Sequence, residues 1–150
     1  MDKKNTSTDI LHLDNQLCFA LYVCSKEIIK KYKPLLDPLG LTYTGYITLL
    51  ALWEKDSITV KELGQKLYLD SGTLTPLLKK LEALEYIKRI RSTNDERNVY
   101  INLTKKGMAL REKALCIPEK MLHHTDLTEK EKSNLLHSLQ FLMRTLSKEN

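Results

Sequence analysis

The stretch LDSGTLTPLLKKLEALEYIKRIRSTNDERNVYINLT, residues 69–104, changes from a helical to an alternating pattern and decides the fold. Its first half predicts a helix capped by Ser71 or Asp70, with Pro76 in the opening turns, where a missing N–H costs least. After Tyr86, apolar and basic residues alternate on both sides of a polar segment. This alternation is typical of a two-stranded β-hairpin.

A shorter helix precedes this stretch. Thr59 and Glu62 have the spacing of a capping box, and they predict a helix through Leu67. A winged helix-turn-helix has this element order: a short helix, a brief turn, a second helix and a basic hairpin. We place it at residues 42–103. The sequence therefore predicts a mainly α (α+β) fold.

A long helix is predicted on the N-terminal side, over residues 14–40. Asp14 is its expected N-cap, and Pro38 and Gly40 end it. Its apolar residues form a stripe that is too wide to be buried within one domain. We therefore expect this helix to pack against a second copy of the chain.

Further helices are predicted on the C-terminal side, over residues 104–148. Thr104 caps one that ends near Pro118, and Thr128 opens the last one through a second capping box. The last helix carries an apolar stripe at Leu135, Leu139, Leu142 and Leu146. The helices over 14–40 and 104–148 are thus predicted to be dimerisation helices.

Composition supports one domain over residues 1–150, because 42% of the residues are hydrophobic and 29% are charged. The net charge of +5 weakly favours an anionic partner such as nucleic acid, since 24 basic residues stand against 19 acidic ones. Residues 1–9 are charged and polar, so we expect no signal peptide, and the longest apolar stretch, residues 46–53, is too short to cross a membrane. We expect a cytoplasmic protein without membrane association, whose cysteines are reduced.

The second helix of the helix-turn-helix carries candidate DNA-binding residues. Small polar side chains at its N-terminal end suit base edges and phosphates, and a basic pair one turn later can reach the DNA backbone. These residues are Ser71, Thr73, Thr75, Lys79 and Lys80. The alternative interpretation is an ordinary surface helix with a solvated lysine pair.

The hairpin is a second candidate DNA-binding element. It carries positive charge at Lys88, Arg89, Arg91 and Arg97. Such an element can enter a minor groove or straddle phosphates. Asp95 is expected to orient the Arg97 guanidinium by a charge-assisted hydrogen bond. Because residues 70–103 contain six basic and five acidic residues, binding would depend on the placement of the charges rather than on their sum.

Several stretches together resemble the MarR family of transcriptional regulators, and more narrowly its organic hydroperoxide-sensing, OhrR-type branch. They are LDNQLCFALY (13–22), YKPLLD (32–37), LTY (41–43), LDSGTLTPLLKKLE (69–82) and NDERNVYINLT (94–104). A winged helix alone is unspecific, whereas these motifs in this order are highly specific. The resemblance covers nearly the whole chain and is weakest after about residue 120.

This resemblance implies a homodimeric repressor on a palindromic operator in double-stranded DNA. Each recognition helix would lie in a major groove, and each wing would lie at the flanking minor groove. The residues carried over to the major groove are Ser71, Thr73, Thr75 and Lys79. Asp95 and Arg97 would form a pair at the wing tip.

The resemblance also implies that Cys18 senses organic peroxide. Tyr22, Tyr32 and Tyr43 match tyrosines that hold the reactive thiolate in this branch, one of them from the other subunit. The residues themselves agree, because Cys18 follows Asp14 by four positions, near a helix start whose dipole favours a thiolate, and Tyr22 shares its face. Tyr32 lies 14 residues further on, about 21 Å along a straight helix, so it could reach only the Cys18 of an antiparallel partner helix.

Other roles for these residues stay open. Cys18 could be a small buried hydrophobe, and the three tyrosines could pack in the core or interface. Cys24 faces another direction, and Cys116 precedes the position of the second cysteine in some family members. We interpret both as packing residues. The sensor would then be of the one-cysteine type, in which oxidised Cys18 condenses with a low-molecular-weight thiol.

The expected function is repression that ends when organic peroxide oxidises Cys18. One alternative is a MarR-type regulator of a phenolic or other amphipathic ligand, with Cys18 merely lining the pocket. The other is a thiol peroxidase. The sequence has no Cys-x-x-Cys motif and no βαβ pattern, which disfavours this alternative, so we expect that the protein is not an enzyme. Histidines and cysteines do not combine at zinc-ligand spacing, and we expect no metal and no cofactor.

Overall fold

The structure is a computed structural model, and it describes residues 9–147. The chain divides into two compact units, the first ending at Ala114 and the second beginning at Leu115. The elements of the first unit are α1 (Leu17–Leu36), α2 (Tyr43–Glu54), β1 (Ile58–Thr59), α3 (Val60–Leu67), α4 (Ser71–Ala83), β2 (Ile87–Arg91), β3 (Val99–Leu103) and α5 (Lys105–Ala114). The predicted fold class, a mainly α winged helix-turn-helix, is confirmed.

Side-chain caps set the starts of the two helices of the helix-turn-helix. At α3, the predicted capping box is present: the Thr59 N–H donates to Glu62 Oε2 at 2.8 Å, and the Glu62 N–H donates to Thr59 Oγ1 at 3.2 Å. At α4, Asp70 rather than Ser71 is the cap, and it accepts the Thr73 N–H at 2.8 Å. These local bonds satisfy N–H groups that have no partner within the helix.

A third strand joins the predicted hairpin. Strand β3 pairs antiparallel with both β2 and β1, so the strand order is β1-β3-β2. Arg89 of β2 and Ile58 of β1 both lie opposite Ile101 of β3. The sequence predicted two strands because β1 has only 2 residues, which are too few to show an alternating pattern.

The core of the first unit lies between α2, α3, α4 and the sheet. Its fully buried side chains include Leu49, Leu52, Leu63, Leu74, Leu78, Leu81, Ile87 and Ile101. On α4 these leucines recur every three or four residues, so the opposite face of that helix is left to solvent. The Trp53 indole N–H donates to the Gly107 carbonyl at 2.9 Å and so ties α2 to α5.

Helix α1 begins later than the sequence predicted. Leu13–Asn15 forms a separate 3-10 turn, and α1 starts at Leu17 with Gln16 as its N-cap, so the prediction of Asp14 as the cap is wrong. The extended backbone of Gln16 separates the two helical segments. At the other end, Gly40 has a φ of 70°, which favours glycine, and it ends the helical run as predicted.

Most of α1 is not covered by the rest of the described chain. Leu36 is its one buried residue. The exposed large apolar side chains of α1 are Leu17, Phe19, Tyr22, Ile28 and Ile29. An exposed apolar patch of this kind marks an interaction surface, and dimerisation stays the predicted role of this helix.

The second unit contains α6 (Ile117–His123) and α7 (Glu129–Leu146). The sequence predicted that the preceding helix ends near Pro118, and this prediction is wrong. Helix α5 already ends at Ala114, and Pro118 lies in the first turn of α6, where its missing N–H is tolerated. Thr128 and Glu131 form the predicted capping box of α7.

Helix α7 has no buried residue. Its exposed large apolar side chains are Leu135, Leu136, Phe141, Met143 and Leu146. The dimerisation helices over 14–40 and 104–148, and the single domain over 1–150, stay predictions. Within residues 9–147 no single helix is long and apolar enough to cross a membrane, although α1 and α2 pass that test as a pair bent by 71°.

Candidate functional site

The outer face of α4 brings together the residues predicted to enter the major groove. Leu74, Leu78 and Leu81 are buried against the core. The exposed residues on the remaining surface of the helix include Ser71, Thr73, Thr75, Lys79 and Lys80. The helix therefore presents a polar start and a basic continuation to solvent.

Local hydrogen bonds orient the start of α4. The Asp70 carboxylate accepts the Thr73 N–H at 2.8 Å and the Thr73 hydroxyl at 3.3 Å. These bonds, chiefly that from the backbone N–H, lower the pKa of Asp70 from its ordinary value. The Thr75 hydroxyl donates to the Ser71 carbonyl at 2.8 Å. Both threonine oxygens are thus held in place with accepting positions left open to solvent.

The wing tip is built around the predicted Asp95 and Arg97 pair. Asp95 Oδ1 accepts the Arg97 backbone N–H at 3.1 Å and the Arg97 Nε–H at 3.2 Å. The Ser92 hydroxyl accepts the Asp95 N–H at 3.3 Å and fixes the turn that precedes the pair. The Arg97 side chain is nevertheless 91% exposed. Asp95 therefore orients this guanidinium without covering it.

Arg89 is placed differently from the other predicted basic residues. Its guanidinium lies 2.7 Å from Glu82, measured between Nη2 and Oε2, and its side chain is 33% exposed. Glu82 is not among the residues predicted from the sequence, although its position near the end of α4 and the short link to β2 indicate that it could face the wing. Hydrogen bonds from Arg89 lower the pKa of Glu82.

A surface pocket of about 270 Å³ joins the predicted residues of the helix and the wing. Its lining residues include Thr59, Lys61, Thr75, Arg89 and Arg97. Two arginines and a lysine therefore converge on one depression between α3, α4 and the hairpin. Such a cluster suits a phosphate group of nucleic acid.

Cys18 is the second residue of α1, and it is exposed. This position lies in the first turn, where the helix dipole favours an anion. Tyr22, one turn further on, is 62% exposed, and the Lys26 ammonium lies 5.4 Å from the centre of its ring. Cys18 is therefore open to a reagent or to a second chain.

Tyr32 and Tyr43, two of the predicted sensing residues, lie close together, and Tyr46 joins them. The ring centres of Tyr32 and Tyr43 are 4.8 Å apart, and those of Tyr32 and Tyr46 are 5.6 Å apart. Burial and the neighbouring rings raise the pKa of Tyr32 to about 12, and burial raises the pKa of Tyr43. We call Tyr32, Tyr43 and Tyr46 the tyrosine cluster. Tyr46 is not among the residues that the sequence predicted for sensing.

The tyrosine cluster does not meet Cys18 of the same chain. Cys18 and Tyr32 lie on the same 20-residue helix, 14 positions apart, which corresponds to about 21 Å. Cys24 and Cys116 are exposed, so their interpretation as packing residues is wrong for the single chain. Cys24 lies on the largely uncovered helix α1, and Cys116 lies in the turn before α6. Within residues 9–147 no group of three or more His, Cys, Asp or Glu side chains could hold a metal ion.

Comparisons with known proteins give the family. The sequence model of the SarA/Rot transcriptional regulator family matches residues 30–114. The organic hydroperoxide resistance transcriptional regulator of Bacillus subtilis is 49% identical over 142 residues, which cover 95% of this chain and 97% of that protein. The chain belongs to the MarR family of transcriptional regulators.

Solved structures agree with this assignment. AbfR of Staphylococcus epidermidis, reduced and bound to DNA, is 33% identical and matches with a TM-score of 0.79 over 95% of this chain and 98% of its own. Other structures of AbfR are of an overoxidised form bound to DNA and of a disulfide-formed state. MarR itself, at 22% identity, has the same fold with a TM-score of 0.73, over 88% of this chain and 98% of its own.

The family membership decides between a transcriptional regulator and a thiol peroxidase. The relatives of this MarR-family protein are transcriptional regulators, which are not enzymes. The expectation of a regulator is confirmed, and the thiol peroxidase alternative is not supported. The roles of individual residues in sensing and in DNA binding stay predictions.

Proposed function

We propose that this MarR-family regulator is a redox-sensing repressor that leaves its operator when organic peroxide oxidises Cys18. The 49% identity with the organic hydroperoxide resistance regulator supports the signal. The DNA-bound reduced and overoxidised forms of AbfR support both DNA binding and redox chemistry. In this structure, the proposal is carried by the exposed thiol of Cys18 in the first turn of α1.

The proposed DNA complex uses both predicted elements. The polar start of α4 enters the major groove of a palindromic operator, where Thr73 and Thr75 meet base edges or phosphates. Lys79 and Lys80 bind the DNA backbone. Arg97, held by Asp95, reaches the minor groove beside it. Two copies of the chain bind the two half-sites.

The proposed sensing step is an attack by the Cys18 thiolate on organic peroxide. The sulfur supplies an electron pair to one peroxide oxygen, the O–O bond breaks, and the alkoxide leaves and takes up a proton to become an alcohol. Cys18 is then a sulfenic acid. A low-molecular-weight thiol can condense with it, which forms an S–S bond and releases water.

The tyrosine cluster is proposed to act on Cys18 of the partner chain. Tyrosine hydroxyls are protonated at physiological pH, and the raised pKa values of Tyr32 and Tyr43 only reinforce this, so both can donate hydrogen bonds to a thiolate. Oxidation to the sulfenic acid removes the negative charge and adds an oxygen. Loss of these bonds at the dimer interface would move the two wings out of register with the operator.

A gel mobility-shift assay on the DNA upstream of its own gene, with and without cumene hydroperoxide, tests this proposal. We expect Cys18→Ser to bind as tightly as the wild type and to stay bound in peroxide. The hydroxyl is similar in size to the thiol, but it does not form the reactive anion at neutral pH. Release of the Cys18→Ser protein by peroxide would mean that the sensor lies elsewhere.

The other two cysteines provide matched controls. Cys24 and Cys116 are also exposed thiols, but neither lies in the first turn of a long helix. The Cys24→Ser and Cys116→Ser proteins should leave the DNA in peroxide as the wild type does. Peroxide consumption should also stop at about one equivalent per Cys18, whereas an enzyme would continue in the presence of a reductant.

A further inference from the structure

Glu82 connects the recognition helix α4 to the wing. The Arg89 Nη2 and Nε atoms lie 2.7 and 2.8 Å from Glu82 Oε2. The Arg89 backbone N–H also donates to Glu82 Oε1 at 3.2 Å. One carboxylate therefore holds both the side chain and the backbone of one wing residue, which we call the Glu82–Arg89 strut.

The strut acts at the middle of an exposed sheet edge. Strand β2 is at the edge of the sheet, and Arg89 is the third of its 5 residues. N–H groups on the outer side of an edge strand lack a strand partner, and Glu82 supplies an acceptor for one of them. The two side chains are 33% and 36% exposed, so the pair is better shielded than a fully exposed ion pair.

Arg89 and Arg97 are therefore arranged for different tasks. The Arg97 side chain is 91% exposed, and Asp95 holds it near the wing tip. Arg89 instead directs its Nε and Nη2 groups to the end of α4. A side chain that is bound in this way fixes the distance between two elements.

We propose that Glu82 and Arg89 are positioning residues that fix the angle between the recognition helix and the wing. When this angle is fixed and α4 lies in the major groove, Arg97 is in position to reach the minor groove beside it. Although Arg89 also lines the pocket between α3, α4 and the hairpin, its Nε and Nη2 groups are bound to Glu82, so it acts through Glu82 rather than by contact with DNA. This role rests on the proposed DNA-binding function.

The DNA test uses the full chain and the operator fragment from the gel mobility-shift assay. We expect Glu82→Ala to weaken binding about fivefold or more, the loss that follows from one misplaced contact. Charge alone predicts the opposite, because removal of an acidic residue should strengthen binding to a polyanion. The double variant with Arg89→Ala should bind no more weakly than the weaker single variant, because both changes break the same contact.

Glu85→Ala is the matched control. It removes the same charge near the end of α4, from a residue whose carboxylate lies 3.5 Å from Lys106 rather than from the wing strands. We expect operator affinity close to that of the wild type. The proposal is overturned if Glu82→Ala binds as tightly as the wild type, or if the effects of Glu82→Ala and Arg89→Ala multiply.

A second measurement needs no DNA. Amide hydrogen exchange of the free protein should become faster in β2 of Glu82→Ala, because Arg89 loses its acceptor, while exchange in α2 and the helix content stay unchanged. If exchange in β2 of the Glu82→Ala protein were as slow as in the wild type and in the Glu85→Ala control, the proposed role of the Glu82–Arg89 strut would be overturned. A wild-type protein that fails to bind operator would instead overturn the proposed function, and the exchange result would still decide on the strut.

Discussion

Tyr32 lies between two other aromatic rings on a half-buried surface of α1 and α2. Its pKa is raised to about 12, first by burial and then by Tyr43 and Tyr46. The folded state thus holds this proton more tightly than the unfolded chain, in which the pKa is about 10. The resulting stability is complete below a pH of about 10 and is lost as the pH rises through the folded-state value.

The titration of the tyrosines can be followed by the absorbance of tyrosinate. We expect wild-type protein to keep a late step near pH 12 and the Tyr32→Phe protein to lack it. Tyr22→Phe is the control, since Tyr22 lies outside the tyrosine cluster, and it should keep the late step. A late step that persists in Tyr32→Phe with unchanged size would contradict the assignment.

At the scale of elements, the wing is a short hairpin with an internally fixed tip. The Asp95 carboxylate accepts two hydrogen bonds from Arg97, one from the backbone and one from the side chain. This leaves the cationic end of Arg97 in solvent but limits the directions in which it can point. A small net charge can therefore give a well-placed DNA contact.

Arg97→Ala should weaken operator binding by about 1–3 kcal/mol, the usual effect of losing one positioned groove or phosphate contact. The fold should be unchanged, because the side chain is 91% exposed. Lys88→Ala is a suitable control, since it removes the same charge from the base of the hairpin, near Ile87 and far from the tip. Equal affinity of the Arg97→Ala and wild-type proteins at physiological salt would rule out the wing contact.

At the scale of the whole molecule, Gly107 is the point where α5 approaches the base of the wing. A Cβ atom there would overlap the backbone carbonyl oxygen of Tyr86 and would lie 3.2 Å from Leu103. The carbonyl of the same glycine accepts the Trp53 indole N–H. The wing, α2 and α5 are thus joined through a position that has no room for a side chain.

Gly107→Ala should reduce the free energy of unfolding by about 1–3 kcal/mol, because the added methyl group meets backbone rather than a mobile side chain. Gly45→Ala is a matched control inside α2, where the nearest atoms to a new Cβ lie at 3.4–3.5 Å. That change should be neutral or slightly stabilising. Urea unfolding of the three proteins gives the comparison, and a Gly107→Ala protein as stable as the wild type would contradict it.

The proposed sensor requires two chains. Cys18 and the tyrosine cluster are about four helical turns apart on α1, too far for contact within one chain. Contact across a dimer is consistent with the exposed apolar side chains of α1. It follows that the effect of Tyr32 on Cys18 should cross from one chain to the other.

Heterodimers can test this crossing. One pairs a wild-type chain with a chain that carries both Cys18→Ser and Tyr32→Phe. The single remaining Cys18 then faces Phe at position 32 only if the contact crosses the interface. We expect this thiol to oxidise as slowly as in the Tyr32→Phe homodimer. The control separates the two substitutions onto different chains, which should restore the wild-type rate; the reverse pattern would place the contact within one chain.

Features that depend on residues close together in the chain could be predicted from the sequence. The capping boxes at Thr59 and Thr128, the change of period after Tyr86 and the Asp95–Arg97 pair all follow from spacings of two to four residues. Such contacts form within one turn or one hairpin, so a local pattern is enough to predict them. The family resemblance then supplied the expected roles of Cys18 and the tyrosines.

Contacts between segments that are distant in the chain could not be predicted from the sequence, because they depend on how the elements pack. Strand β1 is too short to be recognised alone and exists because Ile58 pairs with Ile101. Tyr46 enters the tyrosine cluster, and Glu82 holds Arg89, because helix packing and the turn after α4 bring them together. A charge pattern shows which residues are basic, but the three-dimensional position of the carboxylates decides which of them bind within the protein and which remain in solvent.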